Sequence, residues 1–331
     1  MKRFLDLADL SREEVIALLE LARRLERQPE PHALTGKILG LLFFNPSLRT
    51  LASFQAAMAR LGGSSFVINP GQGSWQLETR TGVVMDGAAA EHVREGIPVL
   101  ASYCDALGIR AFAEGRDLAA DLAETTFTAM ASLIDKPLVN LESAVNHPCQ
   151  ALADWKTLDD LAVPRGGRFV LSWAWHPRAL PLAVPAAALH MAALRGMEVI
   201  VLRPEGFALP PVIMERARRA AAASGGAVRE TAERTDALDG ADILYVKEWG
   251  ATDCYGDAAA DRAQRSALTG WCVRNDWFAA APGCRVMHCL PVRRNSAIAD
   301  EVLDSARSIV QREARNRLPV QMAVLHRLLR S

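Results

Sequence analysis

The chain has 331 residues, and its 38 Lys plus Arg are matched by 38 Asp plus Glu, so the formal net charge is zero. Half of the residues are apolar and 23% are charged, a composition that excludes wholesale disorder and, at about 150 residues per domain, suits two domains with cores of their own. The even balance argues against non-specific nucleic-acid binding, which needs a basic surface, but leaves room for a local anion site made of a few arginines.

The start, MKRFLDLADLSREEV, lacks the apolar core of a signal peptide. The charge-free apolar stretch from Ala179 to Leu194 contains Pro181, Pro185 and His190 and is shorter than the roughly 20 residues of a membrane span. Neither a membrane nor a nucleic acid is therefore expected as a partner, and a cytoplasmic location is. Cys104, Cys149, Cys254, Cys272, Cys284 and Cys289 form no CxxC pair, so they read as reduced thiols, with no metal site.

In chain order, Ser11 and Glu14 form a capping box ahead of an amphipathic helix through Leu18 to Leu25. Lys37–Phe44 reads as a buried strand, about 50–60 as a helix, and Ser65–Asn69, Ala106–Arg110 and Pro137–Leu141 as further strands. The second half repeats the alternation. Strands are expected at Gly167–Trp173, Glu198–Leu202, Ala241–Lys247 and Arg285–His288, with helices at about 182–195, at Val212–Ala223 and at about 319–329. Strands alternating with helices imply parallel sheets, whose ligands gather at the carboxyl ends of the strands. The fold class is thus α/β with two Rossmann-like domains, each a parallel sheet flanked by helices.

Three motifs sit at such strand ends. Phe43-Phe-Asn-Pro-Ser-Leu-Arg-Thr50 turns from a strand into a helix whose first turn carries Ser47, Arg49 and Thr50. Free N–H groups and the helix dipole favour an anion there, and arginine meets phosphate with two parallel bonds. His147-Pro-Cys-Gln150 holds an imidazole on extended backbone. His288-Cys-Leu-Pro-Val-Arg-Arg-Asn295 offers Cys289. Adjacent strand residues point to opposite faces, so His288 is a poor base for Cys289, and a contact role for the thiol is favoured over covalent catalysis. Arg110 closes a strand as well, and with Arg49 and His147 makes a donor-rich set.

These residues resemble the carbamoyltransferase family. Ser47-Leu-Arg-Thr50 looks like its carbamoyl-phosphate motif, His147-Pro-Cys-Gln150 like its second motif, and His288-Cys-Leu-Pro291 like the ornithine-type third motif, in family order over essentially the whole chain. The resemblance implies that Ser47, Leu48, Arg49 and Thr50 cradle the phosphate, with Arg110, His147 and Gln150 on the carbamoyl group. Cys289 and Leu290 line the side where the amine enters, and Arg317 completes the site. Arg49, Arg110, His147 and Cys289 are the implied catalytic set. It also implies no cofactor, and a homotrimer with shared active sites to which Trp75 is lent by a neighbouring subunit. Residues 1–147 are expected to bind carbamoyl phosphate, joined by a C-terminal helix, 313–331, that returns to this domain. Residues 148–312 are expected to bind the second substrate.

The second substrate is read from departures. There is no Ser-Met-Gly segment of the kind that binds a free α-amine in ornithine carbamoyltransferases, and Val246-Lys-Glu-Trp-Gly250 stands in that region. Lys247 suits a carboxylate rather than an ammonium, so the α-amine is expected to be acylated. Trp173-Ala-Trp-His-Pro177 and Val84-Met-Asp-Gly87 resemble the acylornithine branch. The acetyl type of that branch has a Glu where Ala90 stands here and a Lys where Ala297 stands. Ala90 removes a charge that would repel a succinyl carboxylate, and His176, Arg178, Lys247 and Arg293 are candidates to receive it. Glu142 and His176 are expected to contact the ornithine part. The expected reaction makes N-succinyl-L-citrulline and phosphate from carbamoyl phosphate and N-succinyl-L-ornithine in arginine biosynthesis. The alternatives are the N-acetylornithine enzyme and a non-catalytic regulatory relative.

Overall fold

The computed structural model describes residues 1–330. Its strands are β1 (Arg3–Phe4), β2 (Ile38–Phe43), β3 (Ser64–Ile68), β4 (Gln76–Glu78), β5 (Ala89–His92), β6 (Ala106–Arg110), β7 (Leu138–Glu142), β8 (Arg168–Trp173), β9 (Glu198–Leu202), β10 (Ala227–Thr231), β11 (Ile243–Lys247) and β12 (Arg285–Met287). The α-helices are α1 (Arg12–Arg27), α2 (Leu48–Arg60), α3 (Val93–Ser102), α4 (Leu118–Leu122), α5 (Thr125–Ser132), α6 (Pro148–Asp160), α7 (Ala183–Arg195), α8 (Pro211–Ser224), α9 (Arg234–Leu238), α10 (Ala258–Ser266), α11 (Asp300–Leu303) and α12 (Val310–Leu329). The chain divides into two compact units. One comprises Met1–Glu114, Ala119–Cys149 and the C-terminal stretch from Arg317; the other comprises Gly115–Leu118 and Gln150–Asn316.

The first unit is built on a parallel five-stranded sheet ordered β1-β7-β6-β2-β3. Its central strands are apolar on both faces because helices cover both sides of a parallel sheet. Leu39 to Phe43 and all of β6 and β7 are buried accordingly. Leu42, Leu107, Ile109 and Leu138 from the sheet pack with Val93 and Ile97 of α3 and Phe127 and Met130 of α5. The Ser11–Glu14 capping box forms as expected, a contribution of about 1 kcal/mol.

The second unit has its own parallel sheet, ordered β10-β9-β8-β11-β12. Val170, Ile200, Leu244, Val246 and Val286 from four of its strands share a core with Trp277 and Phe278. The α/β class and the parallel sheets in two units agree with the sequence reading.

Several elements escape that reading. β10 is an edge strand whose sequence, Ala-Val-Arg-Glu-Thr, is half-buried and charged, the usual protection of a sheet edge, so it lacks an apolar run. The two-stranded ribbon β4–β5 is short and polar. Helix α12 begins at Val310 and runs through Pro319, ahead of both expected starts, at 313 and at about 319. Ser331, counted in the expected closing helix, lies outside the described residues.

Candidate active site

In both sheets the chain order reverses at one place, between β2 and β6 in the first and between β8 and β11 in the second. Such switch points open a crevice at the carboxyl ends of the strands. The three motifs leave their sheets at these ends.

In the first unit, Phe43 is in register with Arg110 across the switch point, and Phe44 N donates to Arg110 O at 2.9 Å. Asn45 locks the turn by accepting Phe112 N at Oδ1 (2.8 Å) and Arg110 Nε at its carbonyl (3.2 Å). The turn then enters α2 with Ser47 as N-cap, its Oγ accepting Thr50 N at 3.3 Å. A hydroxyl that accepts from the helix keeps its own hydrogen to donate, so capping leaves Ser47 able to bind an anion. The remaining first-turn N–H groups have no carbonyl to meet within the helix. Leu48 is exposed at this end.

Behind the turn lies a buried polar cluster. Arg110 of β6 donates to Glu142 of β7, and His147 Nε2 stands 3.3 Å from the same Glu142 carboxylate. Arg317 of α12 donates to Thr50 Oγ1 at 2.8 Å, and its other terminal nitrogen is 3.5 Å from His147 Nε2. His147 Nδ1 is buried and has no hydrogen-bond partner. Burial, and then Arg317, Arg110 and Arg49, hold the His147 pKa well below its ordinary value. A neutral imidazole therefore sits amid three guanidiniums and one carboxylate. The sequence reading assigned Glu142 to the amine substrate, and in the structure this carboxylate is spent first on Arg110.

Trp75 and Ala90 lie on the polar ribbon. Trp75 is exposed at the start of β4, and its Nε1 donates to Glu91 Oε2 of β5 at 2.9 Å. Ala90 is exposed on β5 between Ala89 and Glu91.

The second unit gathers the other candidates. Lys247, at the end of β11, is buried and bonded to Glu248 at 2.7 Å. Burial pushes Glu248 up, but Lys247 and His288 outweigh it and hold the carboxyl below its ordinary range. The Lys247 charge is thus paired within the protein. His176 Nδ1 meets the Arg178 carbonyl at 2.8 Å, and Nε2 accepts Arg293 Nε at 2.9 Å. An imidazole with one donor and one acceptor nitrogen is neutral, in line with a pKa lowered first by burial. Arg178 is exposed, and its guanidinium forms no ion pair among the described residues. His288 points at Glu248 (Nε2 to Oε2, 3.4 Å) and accepts Leu290 N at Nδ1 (2.9 Å). The strand β12 ends at Met287, so His288 and Cys289 both lie beyond it, and the expected strand alternation does not govern this pair. Leu290 has φ +58°, an uncommon conformation for a residue with a Cβ. Cys289 is buried. Gln150 of α6 donates to Asp154 Oδ1 at 2.8 Å and to Glu313 Oε1 at 3.2 Å.

The sequence reading missed Asp154 and Glu91, and gave no role to Glu248 or Glu313. The one available signal was Asp154 four residues after Gln150 on a helix, a spacing that brings side chains together. Cys149 and Cys284 are pushed up to about 12 by burial, consistent with thiols that serve as core residues. Among the described residues, no group of three or more His, Cys, Asp or Glu is arranged to hold a metal ion, and no helix is long and apolar enough to cross a membrane.

Comparison with known proteins agrees with this geometry. Residues 2–160 match the model of the aspartate/ornithine carbamoyltransferase carbamoyl-P binding domain, and residues 184–328 that of the Asp/Orn binding domain. The N-acetylornithine carbamoyltransferase of Xanthomonas campestris pv. campestris is 37% identical over 333 residues, covering 99% of this chain and 98% of that protein. The N-succinylornithine carbamoyltransferase of Bacteroides thetaiotaomicron is 36% identical over 296 residues, covering 89% and 88%. One similar solved structure is an N-acetyl-L-ornithine transcarbamylase variant with a glutamate replaced by alanine, complexed with carbamyl phosphate and N-succinyl-L-norvaline. It has a TM-score of 0.95 and 37% identity, covering 99% of this chain and 100% of that one. Two domain models in the expected order, with likeness to both acyl types over at least 89% of the chain, lead to one conclusion: the chain belongs to the aspartate/ornithine carbamoyltransferase family, in its acylornithine branch.

Proposed function

We propose that this carbamoyltransferase moves the carbamoyl group of carbamoyl phosphate to the δ-amine of N-succinyl-L-ornithine, giving N-succinyl-L-citrulline and phosphate in arginine biosynthesis. The first unit supplies the carbamoyl-phosphate residues. The N-terminus of α2 with Ser47, Leu48, Arg49 and Thr50 takes the phosphate, steadied by the Thr50–Arg317 bond. The neutral amine attacks the carbamoyl carbon, the new C–N bond forms, the C–O bond to phosphorus breaks, and the amine proton leaves with the phosphate. Negative charge develops on the carbonyl oxygen, where Arg49, Arg110 and neutral His147 stabilise it. Glu142 holds Arg110 in place for that task. Gln150, Cys289 and Leu290 complete the carbamoyl side, and no cofactor is needed.

The second unit supplies the acylornithine residues, His176, Arg178, Lys247 and Arg293. Lys247 already has Glu248 as its counter-ion, so Arg178 and Arg293 are the stronger receivers of a succinyl carboxylate. The observation that carries succinyl over acetyl is Ala90, small, uncharged and exposed on β5. The resemblance puts the acetyl type's glutamate at this position, and variants of an acetyl enzyme with one glutamate replaced by alanine, serine, valine or proline have each been solved with N-succinyl-L-norvaline. The same reading includes a cytoplasmic homotrimer in which Trp75, exposed and braced by Glu91, enters a neighbouring subunit's site.

The second reading, N-acetyl-L-ornithine, is favoured by the longer match to the acetyl relatives. Turnover of the two acylornithines by the purified protein, each at saturating carbamoyl phosphate, decides between them. Preference for the acetyl compound overturns the succinyl assignment. Absence of transfer to either supports the regulatory alternative.

A further inference from the structure

One buried polar cluster in the second unit has no part in the chemistry described so far. Asp154 of α6 and Glu313 of α12 are both fully buried. Gln150 Nε2 donates to both, at 2.8 Å and 3.2 Å, and the second Glu313 oxygen accepts the backbone N–H of His288 at 2.8 Å. One carboxyl group thus ties the Gln150 side chain to the backbone that leads directly into Cys289.

We propose that Glu313 is a positioning residue for carbamoyl transfer, a strut that fixes the Gln150 amide and the His288–Cys289 backbone in one geometry. Both Nε2 hydrogens of Gln150 are spent on the two carboxyls, which fixes the orientation of its amide. Two carboxyls this close and this deeply buried do not both ionise. Burial, and then Asp154, push the Glu313 pKa well above the carboxylate range. The buried Tyr245 hydroxyl of β11 lies beside the pair, its own pKa raised by burial and by the same two carboxyls. Glu313 therefore works as a neutral group that both accepts and donates, with Asp154 taking its hydrogen. An amide at position 313 keeps one acceptor oxygen and a donor for Asp154, so it retains one of the two ties, to Gln150 or to His288 N, and a shorter or absent side chain retains neither.

The proposal rests on the carbamoyl-transfer reading above, and its test separates the two. Steady-state transfer is measured on the full-length protein with carbamoyl phosphate varied, for the wild type, Glu313→Gln, Glu313→Asp and Glu313→Ala, alongside thermal midpoints. Glu313→Gln, which keeps one of the two bonds, raises the KM for carbamoyl phosphate less than Glu313→Ala does. Glu313→Asp and Glu313→Ala raise that KM by about tenfold or more, the scale of one or two buried hydrogen bonds. Folded Asp or Ala variants with an unchanged KM for carbamoyl phosphate overturn the proposal, as does a Gln variant as impaired as Ala. Failure of both the Asp and Ala variants to fold overturns it too, because a purely structural role then suffices. A wild type without carbamoyl transfer refutes the functional reading instead.

Discussion

Glu142 and Arg110 close neighbouring parallel strands, and their side chains are bonded to each other inside the protein. Arg110 is thereby both a charged group and a fixed one, held by Glu142 on one side and by the Asn45 carbonyl on the other. Under the proposed function, a guanidinium held in this way needs no reorganisation as the oxyanion develops.

Glu142→Ala leaves Arg110 buried without its counter-ion. Breaking a buried pair from one side costs about 3–5 kcal/mol. Urea unfolding is expected to show a loss of that order, and Glu142→Gln, which keeps an acceptor, a smaller one. Equal stability of Glu142→Ala and the wild type means that the pair does not anchor Arg110.

Arg49→Ala removes a donor from the first turn of α2. Loss of one oxyanion donor lowers turnover by about 10²- to 10³-fold, and Arg49→Lys, which keeps charge but not two parallel bonds, recovers only part of it. Undiminished transfer by Arg49→Ala refutes the phosphate assignment. Unfolding curves should barely move, since this position is only partly buried.

The pH dependence of stability follows from His147. Its pKa in the folded protein lies well below 6.5, the ordinary value. Between that ordinary value and the lower folded one, the unfolded chain binds a proton that the folded chain does not, so stability falls as pH falls from about 6.5. Above about 6.5 the imidazole is neutral in both states and contributes no slope. Thermal midpoints across pH 7.5 to 5.5 should therefore drop more for the wild type than for His147→Asn, which cannot take up the proton. Parallel curves for the two proteins contradict the assignment of His147 as a buried neutral imidazole.

Ala90→Glu restores the charge that the acetyl type carries at this position. Repulsion of a succinyl carboxylate is expected to shift the ratio of kcat/KM for succinylornithine over acetylornithine by about tenfold or more toward acetyl, the effect of roughly 1.4 kcal/mol. A ratio that does not change removes Ala90 from the determinants of specificity.

Much of this site is visible in the linear chain because its chemistry lies at strand ends. The apolar runs of β2, β6, β8 and β11 locate four central strands, since central parallel strands are buried on both faces and show no alternation. Ser47, Arg110, His176 and Lys247 then fall where these strands stop or just beyond, and His147 and Cys289 follow β7 and the edge strand β12. β10 and the β4–β5 ribbon stayed hidden because exposed edges carry charged and polar residues. Glu91, which braces Trp75, went unseen with them.

The sequence by itself determined which residues stand at the strand ends, their order and the family they belong to, because those depend on patterns a few residues long. The tertiary structure alone decided how their charges are spent. Arg110 meets Glu142 at a separation of 32 residues, Thr50 meets Arg317 at 267, and Gln150 meets Glu313 at 163. A charge sum of zero conceals all of these pairings. Coulomb and hydrogen-bond energies depend on distance through space, and only the packed sheets and helices fix that distance.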